Sequence, residues 1–396
     1  MRVAVIGAGI IGLATAEELV RRGHAVVVFD PAPATGASFA AAGMLAHAAE
    51  AMWGQQALIP LMSASAERYS GFNERVIAAS GRSLGYRAEG TLSVGVDGAD
   101  RETLAALVDL QHAHGLPAER MTGTAARERE PALGSAVTSA VATSADHQID
   151  PRQVMAALLS VLDDRVRRDS VSAVTRTGTA VTGVVLSSGE RIEVDAVVVA
   201  AGLGSAAIEG VPALALRPVW GDVLRLRVPE SLRPMLSSTI RAQVRGRSVY
   251  LVPREDGSVV LGASVREGGV TGVQVGSVLT LLRDAETIVP GIGECEIVEM
   301  VARPRPGTPD AVPLLGRVSP GLVISTGFDR HGVLLTPLAA EVGADLVEGR
   351  GVDAEMLVAM NPLRFTDTRA GGISAPVGVW TPPAVAETLG TSTKGS

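Results

Sequence analysis

The hydrophobic pattern of residues 1–30 changes its period twice. Residues 3–6 (Val-Ala-Val-Ile) form a continuous apolar run, which is typical of a buried parallel strand. Apolar residues then recur at helical spacing, and Gly23 ends that pattern, whose members are Leu13, Ala16, Leu19 and Val20. A second apolar run follows at residues 25–29. This succession predicts a strand, a helix and a second strand at the start of the chain.

The turn between the first strand and the helix has the pattern Gly-x-Gly-x-x-Gly. Gly7 allows the tight turn, Gly9 lets a pyrophosphate approach the backbone, and Gly12 lets the helix lie close to the sheet. Asp30 follows the second strand, where its carboxylate can accept hydrogen bonds from the hydroxyls of an adenosine ribose. Because strand, helix and acidic residue stand at the distances that the motif requires, the sequence predicts a dinucleotide site rather than a glycine turn without a ligand.

The same periodicities divide the rest of the chain into two parts of different character. Helical spacing favours helices at residues 58–80, 101–114, 151–162 and 333–347. Apolar runs favour strands at residues 90–96, 196–202 and 322–326, and a β-meander is indicated at residues 171–185 and 191–194. Alternation with period two at residues 223–228, and a hairpin formed by residues 248–253 and 259–263, predict an antiparallel sheet.

We therefore predict an α/β fold with two domains. The first domain is Rossmann-like, with a parallel sheet and the β-meander, and is discontinuous over residues 1–85, 148–217 and 303–365. The second is an α+β substrate-binding domain on a mostly antiparallel sheet, over residues 86–147 and 218–302. Residues 366–396 are rich in Gly, Pro, Thr and Ala, which predicts a poorly ordered tail.

Composition narrows the class of protein. A chain of 396 residues with 46% hydrophobic and 3% aromatic residues can build two cores, mainly from Ala, Val and Leu. The net charge of −7 gives no electrostatic reason to expect nucleic acid or an anionic membrane as a partner. Cys295 is the only cysteine, so no intrachain disulfide forms and a reducing, cytoplasmic location is favoured. We find no apolar run long enough to span a bilayer.

The distribution of lysine excludes several chemistries. Lys394 is the only lysine, and it lies at the end of the chain. A P-loop needs a lysine beside its glycines, and a Schiff base to pyridoxal phosphate needs one in the interior. The chemistry therefore depends on another cofactor, which the glycine motif indicates is a dinucleotide, and we predict no metal site.

Residues 36–45 form a run of small side chains that is almost free of charge. Such a run would let a long flat ligand lie against the backbone. The alternative interpretation is an Ala-rich core helix, and composition alone favours neither.

These features together resemble the D-amino-acid oxidase superfamily of flavoproteins, and most closely its glycine-oxidase type of the thiamine pathway. The resemblance covers roughly residues 1–365. The segments that carry it are residues 7–12 with Asp30, 40–46, 218–222, 250–254, 262–264, 305–310 and 327–332.

The resemblance implies both a cofactor and a set of site residues. Arg305 would hold the substrate carboxylate, Tyr250 would donate a hydrogen bond to it, and Arg330 would border substrate and flavin. The cofactor would be non-covalent FAD, since His47 near the flavin segment is more simply an ordinary hydrogen-bonding residue than a covalent anchor. The implied FAD-binding residues are Gly7, Gly9, Ile10, Ile11, Gly12, Asp30, Pro31, Ala37, Ser38, Ala42, Gly43, Met44, Val171, Ala201, Gly202, Gly327, Phe328, Asp329, Arg330, His331, Gly332, Val333 and Leu334.

Elementary chemistry agrees with these implied roles. An arginine has a planar fork that holds a carboxylate bidentately, which fixes its orientation. A helix beginning near Val333 would place its N-terminus just past Gly332, and its dipole would stabilise negative charge on reduced flavin. Trp220 is a departure expected to narrow the substrate site, and Val265 occupies a position that helps line the pocket in relatives.

The implied function is FAD-dependent oxidation of glycine or another small amino acid or amine to an imine. Water would hydrolyse the imine to a 2-oxo acid and ammonia, and oxygen would be reduced to hydrogen peroxide. The alternative is a dehydrogenase for D-amino acids or secondary amines that uses another electron acceptor. A nicotinamide-dependent dehydrogenase and a flavin-binding protein without turnover are further alternatives, and the sequence leaves a homo-oligomer open.

Overall fold

Two large β-sheets organise the computed structural model, which describes residues 1–366 of the chain. The strands are β1 (Arg2–Ile6), β2 (Ala25–Phe29), β3 (Met44–Leu45), β4 (Thr91–Gly95), β5 (Glu119–Thr122), β6 (Ser139–Thr143), β7 (His147–Gln148), β8 (Val166–Arg167), β9 (Val171–Thr177), β10 (Ala180–Leu186), β11 (Arg191–Glu193), β12 (Ala196–Val199), β13 (Arg217–Arg227), β14 (Thr239–Val244), β15 (Arg247–Pro253), β16 (Ser258–Gly262), β17 (Glu296–Gly307), β18 (Leu314–Ser319) and β19 (Leu322–Thr326). The α-helices are α1 (Ile10–Arg21), α2 (Ala37–Ala40), α3 (Leu58–Ser80), α4 (Gly98–Ala113), α5 (Gly123–Arg129), α6 (Pro151–Leu162), α7 (Val275–Ile288), α8 (Thr336–Glu348) and α9 (Ala354–Ala359).

The first sheet is mostly parallel and has the strand order β18-β19-β12-β1-β2-β8. Its central strands are apolar on both faces because both faces are covered. Val3 and Val5 of β1 belong to the core that includes α1, α3, α6 and α8. Ala4 and Ile6 point the other way, into the core formed with the meander β9–β11. Alternate residues of one strand therefore join the two layers.

The second sheet has the order β17-β13-β16-β15-β14-β4-β6-β5, and only β14 and β4 pair in parallel. One face packs on α7 through a core that includes Leu224, Leu251 and Leu281. The opposite face is turned towards the carboxyl ends of the parallel strands. The predicted α/β fold, with a parallel sheet, a meander and a mostly antiparallel sheet, is confirmed.

Several predicted helices lie where their local signals placed them. Helix α6 begins at Pro151, and the Asp150 side chain accepts a hydrogen bond from the Arg152 N–H. Helix α4 begins at Gly98, before the expected residue 101, because the Asp97 carboxylate caps it by accepting from the Asp100 N–H. The predicted domain boundaries remain a prediction, and β17 runs continuously through the one placed at residue 303.

The expected start of the last long helix near Val333 is wrong. A short 3-10 helix covers Asp329–His331, a turn follows, and α8 begins at Thr336. Pro337 lies in the first turn of α8, where the N–H group that proline lacks would have no intrahelical partner. The N-terminus of α8 is therefore at Thr336 and not at Gly332, which removes the predicted dipole from that glycine.

Two further sequence predictions concern membrane-spanning segments and the C-terminal tail. None of the helices in residues 1–366 combines the length and the apolar character that a membrane crossing requires. The predicted tail lies outside the described residues, apart from Thr366 at its start.

The close approach of α1 to β1 gives a first testable prediction. A Cβ on Gly12 would lie 1.9 Å from the Gly7 carbonyl oxygen, which is backbone and cannot move away cheaply. We expect Gly12→Ala to lower the free energy of unfolding by about 3 kcal/mol, at the upper end of overpacking costs. Urea denaturation followed by circular dichroism measures this change.

The matched control is the same substitution in α7. A Cβ on Gly276 would meet no atom within 4 Å, so Gly276→Ala should change the free energy of unfolding by less than about 1 kcal/mol. Equal effects of the two substitutions would contradict the packing argument.

Candidate active site

A cavity of about 770 Å³ lies between the two large sheets. On one side it is lined by residues that follow the carboxyl ends of β1, β2, β12 and β19, where open α/β sheets bind ligands. On the other side it is lined by residues of β13, β14, β15 and β17. A dinucleotide site and an antiparallel sheet face thus share one cavity.

Most of the residues predicted to bind the cofactor line this cavity. They are Gly7, Gly9, Ile10, Ile11, Asp30, Pro31, Ala37, Ser38, Ala42, Gly43, Met44, Val171, Ala201, Gly202, Phe328, Asp329, Arg330, Gly332 and Val333. Four others, Gly12, Gly327, His331 and Leu334, do not line the cavity. The backbone of Gly12 and of Gly327 lies against other protein atoms, and His331 and Leu334 are buried. The predicted substrate residues Tyr250, Arg305 and Arg330 all line the cavity.

The glycine turn opens the backbone to the cavity. Gly7 has a φ of +107°, and a Cβ there would lie 2.5 Å from the Ala200 carbonyl oxygen. The Ser38 hydroxyl accepts a hydrogen bond of 3.2 Å from the Ile10 N–H at the start of α1. The next N–H groups of α1 have no intrahelical partner, as at any helix N-terminus, and suit a pyrophosphate.

Asp30 holds the two backbone segments that flank this turn. Its carboxylate accepts hydrogen bonds from the Ala8 N–H at 2.7 Å and from the Ala32 N–H at 2.8 Å. A carboxylate has about four acceptor positions, so these two bonds leave capacity for ribose hydroxyls. Asp30 is thus both a structural residue of the turn and a candidate ligand residue.

The run of small residues is not a core helix. Only Ala37–Ala40 is helical, after which the backbone extends through Gly43 into β3. Gly43 has a φ of +77°, and a Cβ there would lie 1.9 Å from the Ile149 carbonyl oxygen. Buried Arg254 donates to the carbonyl oxygens of Ala42 and Ile149, which ties this segment to the start of α6. Burial lowers the pKa of Arg254 to about 10, so it stays charged at neutral pH.

Arg305 extends from β17 across the neighbouring strand β13. A Cβ on Gly221 would lie 2.3 Å from the Arg305 Nη2 atom, so the guanidinium rests directly on the glycine backbone. Within residues 1–366, the Arg305 side chain has no hydrogen-bond or ion-pair partner. Its donors therefore face the cavity with their bonding capacity unused, which suits a carboxylate ligand.

Tyr250 is placed in the same way. It pairs with Gly262 across β15 and β16, and a Cβ on that glycine would lie 2.3 Å from the Tyr250 hydroxyl oxygen. Burial raises the pKa of Tyr250, although the positive charge of Arg305 opposes this. The hydroxyl therefore stays protonated at neutral pH and can donate a hydrogen bond beside the Arg305 guanidinium.

The sequence prediction missed a buried charge cluster next to these residues. Glu50 is 8% exposed, and its carboxylate lies 2.5 Å from the Arg241 Nη1 atom. It also lies 3.6 Å from the Arg330 Nε atom and 3.3 Å from the His331 Nδ1 atom. The cluster joins the segment after β3, strand β14 and the loop before α8. A lone acidic residue ending a long run of small side chains was the only local signal.

Two members of this cluster, Glu50 and His331, have strongly lowered pKa values. Burial opposes ionisation of Glu50, but the charges of Arg241 and Arg330 prevail and hold its pKa at about 2. Burial lowers the pKa of His331 to about 4, despite the opposing effect of Glu50. At neutral pH the carboxylate is therefore ionised and the imidazole neutral.

Three neighbouring side chains lie differently relative to the cavity, and only the expectation about Trp220 is revised. Trp220 is buried and does not line the cavity, because Val219 and Gly221 on either side of it face inwards along β13. Val265 does line the cavity, at a position that is 73% exposed. His47 is not a lining residue, and its Nδ1 atom lies 3.5 Å from the Asp146 carboxylate, which is consistent with non-covalent cofactor binding.

The cavity has a dinucleotide-binding parallel sheet at one end and an antiparallel sheet with unpaired donors at the other. This arrangement defines a two-domain nucleotide-cofactor oxidoreductase. Residues 2–346 match the family model described as DAO, FAD dependent oxidoreductase, and the chain belongs to this family. FAD is therefore the cofactor, as predicted. The cavity fits it, because open backbone at Gly9 and acceptor capacity at Asp30 suit the adenosine diphosphate half.

Named relatives agree with the predicted resemblance. Glycine oxidase of Geobacillus kaustophilus is 30% identical over 367 residues, which cover 87% of this chain and 92% of that protein. The bifunctional protein ThiO/ThiG of Nostoc sp. is 30% identical over 355 residues, and the match spans about half (52%) of its length. The crystal structure of glycine oxidase from Geobacillus kaustophilus matches with a TM-score of 0.84 and 28% identity, covering 92% of this chain and 99% of that one.

The charge cluster gives a second testable prediction, on pH-dependent stability. The lowered pKa of His331 means that the unfolded chain binds a proton below pH 6.5, whereas the folded chain resists it down to about 4. Stability from this residue is complete above pH 6.5 and is lost as the pH falls towards 4. The contribution of Glu50 is lost lower, between its ordinary value of 4.5 and about 2.

We expect His331→Asn to remove about 2 kcal/mol of the stability loss that the wild type shows between pH 7 and pH 5. Urea unfolding of both proteins at the two pH values, with FAD in excess, measures this difference. A variant that loses as much stability as the wild type over this range would contradict the assignment.

Proposed function

We propose that the chain oxidises glycine, or a similarly small amino acid or amine, at the bond between Cα and nitrogen. The product is an imine, which water hydrolyses to a 2-oxo acid and ammonia. The observation that carries the proposal is the convergence of an unpaired Arg305 guanidinium and the Tyr250 hydroxyl in the FAD cavity. The relatives named glycine oxidase support a small amino acid as the substrate.

The two side chains have complementary tasks in this proposal. Arg305 binds both oxygens of the substrate carboxylate with its planar fork, and contact with Gly221 limits its orientations. Tyr250 donates a further hydrogen bond to the carboxylate. FAD, when bound, supplies the two-electron acceptor for the Cα–H bond. Holding the carboxylate fixes where Cα lies, and such positioning is the main contribution required of the protein.

Arg330 has a different role from Arg305. Its guanidinium is shared among Glu50, Gln55 and Met52, so it has less capacity for a substrate carboxylate. We propose that Arg330 borders the substrate and carries positive charge near the bound cofactor. Since α8 begins only at Thr336, this positive charge takes over the task first assigned to a helix dipole at Gly332.

The lining residues predicted from the sequence are proposed to bind FAD non-covalently. Those after β1 and β2 would hold the adenosine diphosphate half. Residues 42–44 and 328–333 would lie along the flavin half. The ThiO/ThiG relative, with the resemblance to the thiamine-pathway type, supports a role of the reaction in thiamine biosynthesis.

The third testable prediction concerns Arg305. We expect Arg305→Ala to raise KM for the best small amino acid by about 100-fold or more, because two charge-assisted hydrogen bonds are lost. Gly221→Ala should act in the same direction, since its Cβ displaces the guanidinium. Oxygen consumption with glycine, sarcosine and D-alanine measures KM, and flavin absorbance reports the bound FAD.

Arg227→Gln is the matched control, since Arg227 is exposed and pairs with Glu296 outside the cavity. An unchanged KM in Arg305→Ala that retains FAD would contradict the role of this arginine. Anaerobic bleaching of the flavin by an amino acid, followed by slow reoxidation with oxygen and fast reoxidation with a dye, would favour the dehydrogenase alternative.

A further inference from the structure

Arg241 lies beside the proposed carboxylate-binding residues, and nothing in the proposed reaction requires it. Arg241 on β14 pairs directly with Tyr250 on β15, so the two side chains leave the same face of the sheet as neighbours. Arg241 lines the cavity. Its charge acts on Tyr250, as that of Arg305 does. The substrate end of the cavity therefore has a cation on each side of Tyr250.

Arg241 keeps unused hydrogen-bonding capacity. Its Nη1 atom donates to Glu50 at 2.5 Å and lies 3.8 Å from the Met44 sulfur. Within the described part of the chain, its Nε and Nη2 atoms have no partner. An arginine that served only to neutralise Glu50 would be expected to present its fork, with two parallel bonds, to that carboxylate.

The charges at this end of the cavity do not balance. The lining guanidinium groups Arg241, Arg305 and Arg330 face Glu50 and Asp329. Burial raises the pKa of Asp329, and the positive charges of Arg305 and Arg330 oppose this shift. Three guanidinium groups against two carboxylates leave a net positive charge that favours an acidic ligand, and the free donors of Arg305 and Arg241 offer it two separate binding positions.

The cavity continues beyond Arg241. Ser93 on β4 pairs with Arg241, and both line the cavity together with Leu104 and Leu107 of α4. Gln243 and Ser248, which pair across β14 and β15, line the same extension. Glycine would leave this space empty, so there is room for a longer molecule past Tyr250.

We propose that Arg241 binds a second acid group of the substrate, so that the preferred substrate is an amino acid or N-substituted glycine with a second carboxylate. The first carboxylate lies at Arg305 and the second at the free edge of the Arg241 guanidinium. This inference rests on the proposed function for the nature of the reaction. It deepens that function by naming a substrate class larger and more acidic than glycine.

Binding to the holoenzyme tests the inference without turnover. The probes are matched pairs of non-oxidisable acids, namely propionate with succinate, butyrate with glutarate, and valerate with adipate. Changes in flavin absorbance on titration give each Kd. We expect at least one dicarboxylate to bind on the order of tenfold more tightly than its monocarboxylate partner, and Arg241→Gln to abolish that preference.

Two variants guard against trivial outcomes. Arg241→Gln leaves Glu50 with fewer partners, so Glu50→Gln/Arg241→Gln restores the charge balance and should also lack the preference. Arg120→Gln removes an exposed arginine that pairs with Asp109 outside the cavity, and should keep the preference. Absence of a preference at every chain length, or a preference that survives in the double variant, would overturn the inference.

Turnover measurements distinguish a failure of this inference from a failure of the proposed function. Oxygen consumption and anaerobic bleaching are measured with glycine, iminodiacetate, D-aspartate and D-glutamate. Oxidation of glycine without any dicarboxylate preference would leave the proposed function standing and remove the role of Arg241. A dicarboxylate preference that depends on Arg241, with no amino acid oxidised, would leave the anion site standing and remove the proposed function.

Discussion

Close approach of other atoms, side-chain or backbone, to glycine backbone is the constraint on which the cavity depends. Gly221 leaves room for the Arg305 guanidinium, and Gly262 leaves room for the Tyr250 hydroxyl. Any larger residue at either glycine would push the polar group away from the sheet. At the other end of the cavity, Gly7 and Gly12 let the turn and α1 lie against the parallel sheet. The same physical device therefore forms both the cofactor end and the substrate end.

The polar groups held in this way differ in what they are free to do. Arg305 has no partner among the described residues, whereas Arg254 donates to the backbone carbonyl oxygens of Ala42 and Ile149 and to the Gln148 side chain. Arg330 and Arg241 lie between these extremes, because each gives part of its guanidinium to Glu50. An arginine that faces a cavity with free donors has the capacity to hold an acid group of a ligand. The arginine with the most partners, Arg254, therefore supports the backbone, and the arginine without partners, Arg305, is the one proposed to bind the substrate.

The Glu50 carboxylate connects three segments of the chain beside the cavity. It links strand β14 to the loop that contains Arg330 and His331, and to the segment that follows β3. Losing either arginine would leave the carboxylate buried with fewer partners, and losing the carboxylate would leave two guanidinium groups close together. The cluster thus stabilises the folded chain at neutral pH and sets the positions of two cations beside the cavity.

The sequence by itself determined the parts of this protein that local rules govern. The period of apolar residues placed α3 and α6, and the glycine pattern with Asp30 placed the dinucleotide turn, because each follows from hydrogen bonds and side-chain directions within a few residues. The start of α8 was expected near Val333 and lies at Thr336, because a 3-10 helix and a turn precede it and Pro337 occupies its first turn. Only the tertiary structure decided that Glu50, Arg241 and Arg330 meet, and that Trp220 turns away from the cavity. Contacts between residues 191 positions apart, such as Arg241 with Glu50, depend on how the two sheets face each other, which no local pattern encodes.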